Sequence, residues 1–358
     1  MCMQLPTSET LTVKYLGKIF GNTTATYKFF WFVSLLQIHA KQKDLRISLW
    51  DMAIRMVANA WYPIHYFRLS FGKTDSLFAI VMTLQQETGI PIDASMDKVI
   101  DELTGRLDMP VIQRHLKILL NNVPYRFLHP WIRTSDDKEM VLRSQQWENG
   151  CLYALYKEGT GSYLVLNPEW DSYLHQHYGI LIDFAYWNLT QFLQVRNPNV
   201  PAISSKLIRP ERRNSLSNQH RYWDAVLSTG LSLSCIYTNV PLTRGQYALD
   251  HFIPWSFVSH DLLWNLVPAN GSVNSSKSDK LPNLQIYLPK LASLHHRALG
   301  AYLKLGKSGK VVEDFLSLGY TASELMAMDD PHFLEVYERT FTPLNQIALN
   351  MGFETWIQ

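Results

Sequence analysis

In the run Leu249-Asp250-His251-Phe252-Ile253-Pro254-Trp255-Ser256 a carboxylate stands beside an imidazole. Two carboxamides follow, Asn265 and Asn274, at 14 and 23 residues beyond the histidine. The second opens Asn274-Ser275-Ser276-Lys277-Ser278-Asp279, a polar stretch with no apolar residue in it. Hydrolysis of a phosphodiester requires an activated water, neutralised charge on the phosphoryl oxygens, and help for the departing oxygen. A histidine of ordinary pKa, about 6.5, accepts a proton from water near neutral pH. A hard cation such as Mg²⁺ serves the other two needs and prefers oxygen ligands, which Asp250 and the side-chain oxygen of Asn274 offer. Singly, each residue has a plainer use, an Asp-His pair in a turn or an asparagine in a loop. The ordered set, with Lys-Ser-Asp attached, is what argues for chemistry.

This stretch resembles an HNH endonuclease domain, the ββα-metal core of homing endonucleases, bacteriocin DNases and RNA-guided CRISPR effectors. It is most similar to the HNH domain of the last group. The likeness is carried by Asp250-His251, the apolar pair before Pro254, Ser256-Phe257, Asn265, and Asn274-x-x-Lys277-Ser278-Asp279. It covers residues 231–283 and extends no further. The resemblance implies that Asp250 and Asn274 hold one Mg²⁺ (or Mn²⁺) and that His251 is the general base. It groups Asn265 with the catalytic residues, as the asparagine that pins the loop between two strands. It also brings Lys277 to the phosphate backbone. DNA is the implied partner, with 5′-phosphate and 3′-hydroxyl ends as products. Lys280, Arg212 and Arg213 are further candidates for contact with DNA, along with Arg209 and Arg221. Many HNH domains add two C-x-x-C pairs around a zinc ion. Cys235 falls where the first such cysteine would stand, but no partner follows, so no structural zinc is expected. Packing by Trp255, Phe257 and Trp264 must then hold the motif.

Such a constellation needs elements to position it. The chain has 358 residues, 47% hydrophobic and 18% charged, enough for two or three domains and unlike a disordered tail or a disulfide mini-domain. Cys2, Cys151 and Cys235 are odd in number and far apart, which suits a reducing, cytoplasmic compartment. Residues 1–14 lack the pattern of a secretory signal, and the greasiest stretch, 27–38, is too short to span a bilayer, so no membrane partner is expected. The net charge of +2 hides a split. Residues 206–310 hold thirteen Lys/Arg against five Asp/Glu, and residues 311–358 hold one against eight. A basic block in a near-neutral chain suggests a polyanionic partner.

The expected fold is mainly α with a small ββα core, α+β overall. A helical module at 1–200 precedes an HNH domain at 201–310 and acidic helices at 311–358. In the first module, Thr23 or Thr24 would cap a buried helix starting near Tyr27, and a second helix covers 48–61. A hairpin is expected near 151–166. Asn167 then caps a long helix with Pro168 at its first position, running to about Val195. Thr321-Ala322-Ser323-Glu324 reads as a capping box, and Asp330-Pro331 as a helix start. The acidic helices either lie over the DNA-binding face and compete with DNA, or dock through Leu316, Leu318, Phe333, Leu334 and Phe341 with their acids facing water. Phe71-Gly72-Lys73-Thr74 lacks the upstream glycine of a phosphate loop, since Phe67 stands there. His175/His177 and His295/His296 have no companion cluster in sequence and read as surface or packing residues.

Two functions fit: a metal-dependent DNA endonuclease, or a nucleic-acid-binding or sensing protein whose HNH fold is inactive or incidental. By analogy with stand-alone HNH proteins, the first would be a restriction or phage-defence effector, with a homodimer or a defence-system protein as partner.

Overall fold

The structure is a computed structural model and describes residues 4–158, 161–209, 214–306 and 309–357. It is mostly helical, with a three-stranded and a two-stranded sheet. The chain divides into two compact units. The first runs to Pro198 and includes Ile203–Arg209; the second holds Asn199–Ala202 and the chain from Pro210 onward. No helix among the described residues is long and apolar enough to cross a membrane.

In the first unit, the Tyr27–Lys41 helix is buried on nearly every side and packs on the Leu49–His65 helix. Its start is not capped by Thr23 or Thr24. Thr26 is the N-cap residue, and its amide and hydroxyl both donate to Asp75 Oδ2 at 2.6 Å. Burial of Asp75 raises its pKa, so these bonds hold a carboxylate that desolvation would otherwise neutralise. Ser48 caps the second helix by accepting from the Trp50 amide. The strands Arg46–Ser48, Gly161–Leu166 and Tyr153–Glu158 form an antiparallel sheet in that order, and the hairpin pairs Ala154 with Val165. Asn167 accepts from the Glu169 amide, with Pro168 at the first helical position. The long helix expected after it is two, Pro168–Gln176 and Tyr178–Arg196. They part at His177 (φ −108°, ψ 16°), whose ring packs edge-on against Tyr173. Apolar residues continue on both sides of the break, so periodicity does not register it.

In the second unit, strand Ala248–His251 pairs antiparallel with Leu266–Ala269, matching Asp250 to Val267 and His251 to Leu266. The short helix Gly271–Lys277 follows and packs against the first of these strands. Helices Ser217–Leu227, Leu284–Lys304 and Asp330–Asn350 surround this centre. The Thr321 capping box is present, and Asp329 caps the helix that begins at Asp330.

Residues beyond 311 share one apolar core with the residues around the strand pair. The Phe341 ring lies 5.2 Å from Phe252 and 5.4 Å from Trp264, and Phe353 lies 5.9 Å from Phe257. Asp314 accepts from the Leu263 amide, and Trp264 Nε1 donates to Ser317. Leu318, Phe333 and Phe341 are buried as docking requires, whereas Leu316 is exposed.

Candidate functional site

Asp250 and His251 are neighbours on one strand, and their side chains serve different partners, as strand alternation requires. The Asp250 carboxylate is only 2% exposed. Tyr237 donates its hydroxyl to Oδ2 at 2.6 Å, and Lys277 places its ammonium 3.1 Å from Oδ1. Burial and the neighbouring carboxylate push the Tyr237 phenol well above its ordinary pKa, which keeps it a donor. The Lys277 ammonium also donates to the His251 carbonyl at 2.7 Å.

Lys277, expected at the phosphate backbone, is fully buried and sends its stem inward from the last turn of Gly271–Lys277. An isolated buried carboxylate would be costly, and this ammonium is the group that balances it. The next residue, Ser278, leaves the helix at φ +48°, a value uncommon outside glycine that marks local strain where the lysine turns in. Asn274 precedes Lys277 by three residues on the same helix, so both lie on one face. Its side chain is half-buried.

His251 Nε2 lies 2.9 Å from Asp261 Oδ1. A carboxylate accepts, so Nε2 carries the proton, and in the neutral ring the lone pair is on Nδ1. Both side chains keep some exposure, 14% and 19%. Asp261 is anchored in turn, since its carbonyl accepts from Gln219. The sequence reading missed Asp261, which sits in a loop ten residues beyond His251 with no motif to mark it.

Asn265 is fully buried, and both ends of its amide are committed. Oδ1 accepts from the Ile253 amide and Nδ2 donates to the Ile253 carbonyl, each at 2.9 Å. Its own carbonyl accepts from Phe252. These two bonds tie the Asn265 side chain to the turn after His251. His295 adds a clamp from behind. Nε2 donates to the Leu266 carbonyl, and Nδ1 accepts from the Tyr337 hydroxyl.

Among the remaining candidates, Lys280 pairs with Glu354 at 3.6 Å on the surface. Arg221 is exposed on the Ser217–Leu227 helix, while Arg209 lies near the Tyr62 ring in the first unit. Arg212 and Arg213 fall outside the described residues. Cys235 is buried in the second unit's apolar core, in a tight turn closed by bonds to Val240 and Asn239. Trp356, whose ring packs against Tyr237 and Tyr287, lends weight on the same side.

The family model described as HNH endonuclease matches residues 235–283, the segment holding Asp250, His251, Asn265, Asn274 and Lys277. No curated protein and no solved structure matches the chain. The second unit thus carries an HNH endonuclease domain, which points to nuclease activity and nucleic-acid binding. Nucleases of this family generally depend on a divalent metal.

Proposed function

We propose that the second unit is a DNA endonuclease that hydrolyses phosphodiester bonds at His251 with one divalent cation. The observation that carries this reading is the His251–Asp261 pair. It leaves a partly exposed imidazole with a free Nδ1 lone pair inside a segment that matches the nuclease family. In the proposed mechanism Nδ1 takes a proton from the attacking water, and Asp261 stabilises the imidazolium that forms. Asn265 holds the backbone after His251 so that the ring keeps its direction.

Asp250 and Asn274 are oxygen donors, the kind a hard cation takes. Oδ1 of Asp250 now meets Lys277 and Oδ2 meets Tyr237, so an ion there would share or displace those contacts, and Asn274 lies on the helix face that carries Lys277. Asp250 and Asn274 would hold Mg²⁺ (or Mn²⁺). When bound, the ion supplies charge neutralisation at the phosphoryl oxygens and at the departing 3′-oxygen. The likeness in spacing to RNA-guided effectors enters only through the polarity it implies, 5′-phosphate and 3′-hydroxyl ends. A restriction or phage-defence setting is proposed by analogy alone.

The buried Asp250–Lys277 pair favours a second reading, a nucleic-acid-binding domain that does not cut, because the carboxylate already has an internal cation. A plasmid-nicking assay with Mg²⁺ or EDTA separates the two. Cutting that needs Mg²⁺ and falls roughly 10²–10⁴-fold in His251→Ala, with DNA binding retained, is the expected result. Equal cutting by the variant overturns the assignment of the base, and no cutting by wild type leaves the binding reading.

A further inference from the structure

Far along the sequence from this centre, three ligand-type side chains of the first unit converge. His39 lies in the last turn of the Tyr27–Lys41 helix, and Asp171 and His175 share a face of Pro168–Gln176, four residues apart. His39 Nε2 stands 2.7 Å from Asp171 Oδ1, and His175 Nδ1 stands 3.5 Å from the same oxygen. One ligand atom from each residue lies within 4.8 Å of the others. The two imidazoles meet edge-on with centroids 4.1 Å apart.

We propose that His39, Asp171 and His175 bind one divalent transition-metal ion of the Zn²⁺ class, tying the two helices together. The His39–Asp171 hydrogen bond alone explains two of the residues. It does not explain a second imidazole turned onto the same carboxylate oxygen. Zinc sits at about 2.0–2.2 Å from nitrogen and oxygen ligands, so a tetrahedral set has its donors roughly 3.3 Å apart. The two measured separations fall on either side of that figure. His175 Nδ1 also lies 3.2 Å from the Asp171 carbonyl, a contact that an ion on Nδ1 would replace, with the ring proton then on Nε2.

Burial supports the same assignment. His39 is 1% exposed, while Asp171 and His175 are about half exposed, at 48% and 52%. An ion held there would have one deeply anchored ligand, two at the rim, and a fourth position toward water. Two neutral imidazoles and one carboxylate match zinc in softness and charge better than they match Mg²⁺, which favours all-oxygen sets.

The test uses the full chain, stripped with EDTA and titrated with Zn²⁺, or with Co²⁺ as a spectroscopic reporter. The expected result is one Zn²⁺ per chain by elemental analysis, visible bands of four-coordinate Co²⁺, and a Tm that rises with Zn²⁺. His175→Ala removes a half-exposed side chain, so its fold should persist by circular dichroism while the ion, the Co²⁺ bands and the Tm shift are lost. Asp171→Asn should weaken binding as well. His251→Ala, altered at the nuclease centre, should keep the ion. Zinc retained in His175→Ala, lost in His251→Ala, or absent from wild type overturns the proposal; none of these outcomes bears on whether the second unit cuts DNA.

Discussion

Asp250 is held between a phenol and an ammonium, and this arrangement sets what can be changed around it. Removing one partner of a buried ion pair leaves the other charge stranded, at a cost of about 3–5 kcal/mol. Lys277→Met keeps the stem and deletes the charge, so the metal-free variant should unfold at clearly lower urea than wild type. If Asp250 is a ligand, Mg²⁺ should restore part of that loss in the variant and do little for wild type. A variant as stable as wild type without metal would contradict the buried pair. Asp261 makes a separate claim. Asp261→Ala should lower kcat about 10–100-fold with little change in KM, because it removes the partner that orients the base but no group that binds substrate. Asp261→Asn should recover part of the loss, since an amide oxygen can still accept from Nε2. A change confined to KM would place Asp261 in substrate binding.

At the scale of elements, the strand Leu266–Ala269 is clamped to two helices through His295. Complete burial pushes this imidazole down to about 3 from an ordinary value near 6.5, so it is neutral in the folded protein. The unfolded chain takes up a proton below pH 6.5 that the folded chain does not. Stability from this clamp is therefore complete above pH 6.5 and lost as pH falls toward 3. Between pH 7 and 5 the loss approaches about 2 kcal/mol, which His295→Gln should abolish. Urea unfolding of both proteins at the two pH values measures it, and equal losses would show that His295 does not stay neutral. The clamp was not legible in the sequence, where His295 stood as one of a pair with no visible partner; Tyr337 and Leu266 reach it only through tertiary packing. Some local signals were readable because their cause is local: Asn167 bonds the amide two residues on, and Thr321 pairs with Glu324 three residues on. The same holds for the HNH motif, whose residues are fixed in order and spacing. What spacing did not convey is direction. Lys277 was read as outward and turns in, Asp261 carried no mark at all, and the break at His177 interrupts no apolar period.

At the scale of the whole chain, the charge split leaves two uses for the acidic helices, competing with DNA for a basic block or docking through their apolar residues. The structure shifts the weight to packing within the second unit. Phe341 fills the space between Phe252 and Trp264, on either side of the loop that carries Asp261, so residues beyond 311 form the back wall of the strand pair. Aromatic rings from the C-terminal segment pack against Tyr237, Phe252 and Phe257. Phe341→Ala should then cost about 3–5 kcal/mol and lower activity only as far as the folded fraction falls. The acids divide by task. Asp314 holds the Leu263 amide and Asp329 caps a helix, so neutralising either disturbs the fold and reports nothing about competition. Glu313, Glu335 and Glu338 are exposed, which makes their replacement by glutamine the informative variant. Docking predicts that this triple variant melts like wild type and binds DNA with nearly the same affinity at low salt. Competition predicts tighter binding that fades as salt rises, because exposed charges are screened over about 10 Å at 0.1 M. Affinity measured across a salt series decides between them, and a salt-dependent gain would return the acidic helices to a regulatory role.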